Sequence, residues 1–201
     1  MRYWFFFGML FSTLFLSAQD DLFDAIESSK KTDTSIELLP EKMLFTQRML
    51  WGEKGLLRTT GLAPLTREQR VRELQLRKSM LTAHQVIGYA TLAGMVAQGI
   101  IGGQLYNGDY SLRQTHKTLG NVVTATYFTG AALSLFTPPP LVSARIEGIS
   151  GARAHKWLAT VHLSAMIATQ YYKNRDRDLH KASAYIAVGA FAAATLVLQL
   201  K

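Results

Sequence analysis

The sequence predicts an all-α integral membrane protein: an up-down four-helix bundle preceded by a short exported N-terminal helical segment. Three observations predict it. Four apolar stretches of nineteen or more residues follow one another from Leu81 onward, and a helix needs about 20 such residues to cross a hydrocarbon core roughly 30 Å thick. The links between them are short, which forces neighbouring helices antiparallel. The 201-residue chain is 48% hydrophobic, yet its mean hydropathy is only +0.07, because residues 19 to 80 are polar and charged and dilute an apolar remainder.

The organisation follows in order. Residues 1–18 read as a signal peptide: Arg2 precedes the apolar run Trp4 to Leu16, and Ser17-Ala18 supplies a small residue at a cleavage point before Gln19. Residues 19–80 form the exported segment. Its first part, to residue 39, mixes Asp, Ser, Lys and Thr with little periodicity. Pro40 then stands where a helix can begin, and Glu41 to Leu57 carries Met43, Leu44, Leu50, Trp51 and Leu57 among charges. That pattern predicts an amphipathic helix on the membrane surface with Trp51 near the headgroups; a helix packed on a partner subunit has the same pattern. Gly61 to Pro64 breaks the chain, and Thr66-x-x-Gln69 fits a capping box that opens a charged helix running into the first span. Unbroken from Arg67 to Leu105, that helix would be about 58 Å long, half of it clear of the hydrocarbon.

Residues 81–201 form the bundle, with spans Leu81 to Leu105, Thr115 to Phe136, Ala154 to Tyr172 and Leu179 to Leu200. The second link contains Pro138-Pro139-Pro140. Gly99-x-x-x-Gly103 and the Ala/Gly-rich fourth span suit close packing inside the bundle rather than dimerisation.

Composition narrows the chemistry. The chain has no cysteine, which excludes disulfides, iron–sulfur clusters, thiolate zinc sites and covalent c-type haem. Any metal must be held largely by histidine. The net charge of +8 comes from basic residues beside the spans, as in Arg67 to Lys78 and Lys173 to Lys181. Lipid headgroups fit that distribution better than nucleic acid.

Four of the five histidines stand near the start of a span with a very small residue four positions on: His84/Gly88, His116/Gly120, His155/Ala159 and His180/Ala184. Positions i and i+4 stack on one helix face, so each imidazole has a flat, cleared strip one turn deeper. Histidine inside a bilayer is costly and marks function. Alternating helix direction places His84 and His155 at one membrane face and His116 and His180 at the other. Two facing imidazoles beside a flat cleft suit the axial ligation of haem iron, which predicts two non-covalent b-type haems, one near each surface. Lys117, Lys156 and Lys181 directly follow three of these histidines; they can snorkel to headgroups, and are also placed to meet haem propionates or an anionic substrate.

The plainer explanation for any one histidine is a polar helix-end residue bonded to backbone. Four in one register, paired by face, favour the ligand reading. A zinc or non-haem iron site is a weaker fit, because two histidines per face leave the shell unfilled and no carboxylate lies inside the spans. His162 is the odd one, two turns beyond His155. A satisfied core histidine is its first reading; a quinone or proton path, or the place of His155 as ligand, are the others.

These residues resemble the cytochrome b561 family. The resemblance covers Leu81 to Leu200 and rests on His84, His116, His155 and His180, with the Leu-Gly of His116-Lys-Thr-Leu-Gly120 its closest local likeness. It implies a four-helix core binding two haems through histidines on alternate helices, and transmembrane electron transfer, the activity of an oxidoreductase. Eukaryotic members have six helices and an ascorbate site, whereas this chain has four mature spans and no such motif beyond its lysines. The resemblance therefore extends to the ligands and leaves the donor open between quinol and a redox protein. A second function class is a haem-free anchor or scaffold subunit of a larger envelope complex, docking partners through residues 19–80.

An N-terminal segment exported across a bacterial inner membrane makes His84 and His155 the outer pair. That orientation meets a conflict, since Arg67, Arg70, Arg72, Arg77 and Lys78 then lie outside, against the positive-inside tendency.

Overall fold

The computed structural model describes residues 37–141 and 151–198. The expected signal peptide and the expected exported stretch up to residue 36 lie outside the described residues, as does part of the link between the second and third expected spans. Every regular element among the described residues is helical: α1 Phe45–Trp51, α2 Leu56–Thr59, α3 Arg67–Tyr106, a single 3₁₀ turn Tyr110–Leu112, α4 Arg113–Leu135, α5 Gly151–Tyr172 and α6 Arg177–Leu196.

The helix α3 runs unbroken for 40 residues, about 60 Å at 1.5 Å per residue. Its start is set locally, where the Thr66 hydroxyl accepts a hydrogen bond from the Gln69 amide at 3.2 Å. By length and composition α3 can cross a membrane, and among the described residues it is the one helix that meets both conditions. The shorter α4, α5 and α6 carry histidine, lysine and threonine among their apolar residues, which lowers their average, although Val122, Phe128, Trp157, Ile167 and Ile186 are exposed on their outer faces.

The four long helices run up and down. α3 packs along α4, α5 along α6, and α3 also touches α6. Tight links make the reversals: Gly108 adopts φ +110°, in the left-handed region that favours glycine, between α3 and the 3₁₀ turn. Asp176 caps α6 through the amides of Asp178 and Leu179 at 2.9 and 2.8 Å. The central core is Met95, Val123, Tyr127, Ala165, Met166 and Ala187. Glycines bring the helices together: a Cβ at Gly94 would lie 2.7 Å from a Val123 methyl, while Gly99 and Gly103 both face the ring of Tyr185 on α6. The Gly-x-x-x-Gly pair is thus spent within the bundle.

The segment before α3 departs from the expected surface helix. Gly52 to Gly55 breaks it into α1 and α2, and Trp51 is buried, its indole N–H donating to the Phe136 carbonyl at 3.0 Å. Gln47 likewise donates to the Thr137 carbonyl at 3.2 Å. The tryptophan therefore docks the segment onto the end of α4 instead of sitting among headgroups.

Beneath this cap lies an ionic knot. Glu73 pairs with both Arg58 and Arg70, all three side chains being nearly inaccessible. Arg70 also donates to the carbonyls of Leu38, Pro139 and Pro140 at 2.8, 3.0 and 3.4 Å, and Arg77 to that of Pro138 at 2.7 Å. Three successive prolines offer carbonyls and no N–H, so they suit a partner that only donates. Burial, and then the Arg70 charge, press the Arg77 guanidinium below its ordinary pKa.

Candidate functional site: two facing histidine pairs

The four expected histidines meet two by two. The rings of His84 on α3 and His155 on α5 stand with centroids 6.5 Å apart and planes at 87°. Those of His116 on α4 and His180 on α6 stand 6.3 Å apart at 86°. Both pairs join alternate helices.

Three of the four rings are oriented by a main-chain carbonyl on a neighbouring helix. Nδ1 of His84 lies 2.8 Å from the Gly130 carbonyl, Nδ1 of His155 lies 2.8 Å from that of Ala194, and Nδ1 of His180 lies 3.0 Å from that of Thr169. A carbonyl can only accept, so Nδ1 carries the proton and donates. Nε2 is then left with its lone pair, which is the tautomer that binds a metal, held by the second bond that metal-ligating histidines characteristically make.

The spacing suits a shared ion. A metal–nitrogen bond of ~2.0 Å on each side, plus about 1.1 Å from nitrogen to the centre of a five-membered ring with ~1.33 Å bonds, gives a centroid separation of about 6.2 Å when both nitrogens lie on the line between the centroids. Both pairs fall within a few tenths of an ångström of it. Among the described residues no group of three or more histidines, aspartates or glutamates converges. Each pair therefore offers two imidazole nitrogens, the set a tetrapyrrole leaves to a protein.

No protein-family model, curated protein or solved structure matches the chain.

The geometry of the two pairs has a register. Gly130, Thr169 and Ala194 each stand fourteen residues beyond the histidine of their own helix, His116, His155 and His180. Fourteen residues rise about 21 Å, which is the axial separation of the two pairs. The sequence held this signal as a constant offset, but its members were invisible by residue type, because any residue supplies a carbonyl. A Cβ at Gly130 would make only ordinary contacts, with Ile87 at 3.5 Å and His84 Nδ1 at 3.9 Å. Gly102 is tighter, a Cβ there falling 2.9 Å from His116 Cε1.

The small residues one turn beyond each histidine divide. A Cβ on Gly88 would meet nothing within 4 Å, so the strip beside His84 is open. At Gly120 the space is taken, since a Cβ would lie 2.5 Å from Gln98 Nε2. Ala159 and Ala184 are half-buried.

Lys117 and Lys156 are exposed at the bundle ends. Lys181 places its ammonium 3.5 Å from the centroid of the Tyr106 ring, with Arg177 also over that ring at 4.5 Å. The Tyr106 hydroxyl donates to Asp178 at 3.0 Å. His162 belongs to neither pair. Its Nδ1 is 2.6 Å from the Tyr127 hydroxyl and its ring packs 4.9 Å from that of Phe191, the satisfied core histidine of the first reading.

Proposed function

We propose that this chain is an integral membrane electron-transfer protein, similar in plan to the cytochrome b561 family, in which α3 to α6 cross the bilayer and each histidine pair holds one b-type haem. The carrying observation is the pair of facing imidazoles, three of the four rings locked by carbonyls in the ligating tautomer. A haem so held supplies reversible one-electron chemistry whose potential is set by its axial ligands and their hydrogen bonds.

The chain's own residues do the remainder. His84 and His155 fix one site, His116 and His180 the other, and the core of Met95, Val123, Tyr127 and Met166 between them excludes water. The Gly130, Thr169 and Ala194 carbonyls keep three of the rings from turning. Lys117, Lys156 and Lys181 supply positive charge at the edges, suited to propionates or an anionic partner. A membrane setting is supported by outward-facing Val86, Val96, Ile100, Val122, Val161, Ile167 and Ile186, and by exposed Trp157 and Tyr171 near opposite ends of α5. With the N-terminal segment exported, as in a bacterial inner membrane, the His84 pair faces outward. The partners are then a quinol or redox protein at one face and an acceptor at the other.

A reduced-minus-oxidised spectrum with haem quantitation tests this. Two haems per chain are expected, and His116→Ala or His180→Ala should each remove one and spare the other. A colourless chain purified from haem-replete cells overturns the proposal and returns the reading to a haem-free anchor or scaffold. Retention of both haems in either variant refutes the pairing.

A further inference from the structure

Three histidines of the two pairs give their Nδ1 proton to a carbonyl; the fourth, His116, has a buried Nδ1 with no partner. The register says where that partner belongs. The other three carbonyls stand fourteen residues beyond a histidine, and the same offset from His84 lands on Gln98. Gln98 carries a side-chain amide, whereas the hydroxyl of Thr169, the other polar residue of the set, is already bonded to the Ala165 carbonyl at 2.8 Å. Its Nε2 donates to the main-chain carbonyl of His116 at 2.8 Å, while its Oε1 is buried and unpartnered. Because Nε2 must be the donor to a carbonyl, the amide cannot be turned over, and the free oxygen is fixed as an acceptor. A buried ring nitrogen and a buried amide oxygen are thus each left unmatched, on two residues already joined by a hydrogen bond, a situation that costs free energy until the two meet.

We infer that Gln98 is the positioning residue of His116, its amide bridging that residue by donating to the main-chain carbonyl and accepting a hydrogen bond from the ring's Nδ1. Gly120 takes a specific role in this arrangement. It provides the slot for the Gln98 amide, since a Cβ there would stand 2.5 Å from Nε2. The His116 pair therefore differs from the His84 pair in kind: one of its rings is tuned by a replaceable side chain rather than by main chain alone. A second bond of this sort makes an imidazole more basic, so its loss weakens the hold on oxidised iron more than on reduced iron.

The inference rests on the haem reading, and the test separates the two. Full-length chain is purified with haem, and both midpoint potentials and haem per chain are measured for the wild type, Gln98→Leu, Gln98→Glu and Gly120→Ala. Gln98→Leu should loosen one haem by about 10- to 100-fold and raise the potential of that centre, leaving the other unchanged. Gly120→Ala should act in the same direction by displacing the amide. Gln98→Glu keeps an acceptor for Nδ1 while losing the donor to the His116 carbonyl, so it should move the potential of the same centre downward, opposite to Gln98→Leu. In a His116→Ala background, Gln98→Leu should leave the remaining haem unaltered. Wild-type potentials in Gln98→Leu, or equal shifts at both centres in Gln98→Leu and Gln98→Glu, overturn the role of Gln98 while the haem reading stands. A wild-type chain without haem overturns both.

Discussion

Replacing Glu73 by glutamine should release the cap from the bundle without disturbing the histidine pairs. The carboxylate is 1% exposed and faces two guanidiniums that are themselves 4% and 2% exposed, those of Arg58 and Arg70. Glutamine preserves volume, so no cavity is created and the effect isolates charge. What remains is two buried cations with a neutral partner, and removing one member of a buried ion pair costs about 3–5 kcal/mol. That cost falls on the state in which α1, α2 and the proline link are docked, because once the cap opens the guanidiniums regain water. At 1.4 kcal/mol per tenfold, the open fraction rises roughly 100- to 4,000-fold. Amide hydrogen exchange resolved by mass spectrometry reads this directly. Exchange in residues 45–59 should accelerate by that factor, while the centre of α3 around Met95, which no part of the knot touches, stays as slow as in the wild type. Acceleration below tenfold in the cap, with the protein folded, would refute the claim that these charges are held away from water.

Three further outcomes follow from single contacts. Gly102→Ala puts a methyl 2.9 Å from His116 Cε1, so the ring must shift and the His116 pair alone should lose metal affinity, read as one haem lost by spectral quantitation. Tyr127→Phe leaves His162 Nδ1 without its 2.6 Å partner and should cost about 1–3 kcal/mol of stability in thermal unfolding while haem content stays unchanged; loss of a haem would show His162 to be a ligand. Arg72→Cys introduces a unique thiol into a cysteine-free chain at an exposed position. An impermeant maleimide should label it on intact cells from outside, and labelling only after permeabilisation would invert the proposed orientation.

Where the sequence was legible, a local rule governed the structure. Helical periodicity and Thr66-x-x-Gln69 predicted a helix from Arg67 into the first span, and α3 is continuous there. Short links and alternating direction predicted which histidines meet, and His84 faces His155 as His116 faces His180. The cap was not legible, for a physical reason. Its position is set by contacts across 85 to 90 residues, such as Trp51 to Phe136 and Gln47 to Thr137, and those acceptors are main-chain carbonyls that leave no trace in residue type. The same holds for the carbonyls that orient the histidines. Gly120 shows the opposite failure: a pattern was visible, but the small side chain clears room for Gln98, a neighbour whose place depends on how α3 and α4 are staggered.

The ionic knot also bears on the charge conflict in the proposed orientation. The positive-inside tendency concerns cations free to interact with the membrane and the potential across it, and it counts side chains by sequence position. In the folded chain Glu73 offsets one of the two charges of Arg58 and Arg70, and Arg70 and Arg77 point their guanidiniums into the carbonyls of Pro138, Pro139 and Pro140. Their charges are spent on holding the α4–α5 link against α3. Of the arginines leading into α3, Arg67 and Arg72 are the exposed ones. At the other end, Arg113, Lys117, Lys173, Arg175 and Arg177 are all exposed. The His84 face nevertheless keeps Lys42, Arg48, Lys54, Arg67, Arg72, Arg153 and Lys156 exposed, so the knot withdraws Arg58, Arg70 and Arg77 from the surface and reduces the charge conflict without reversing it.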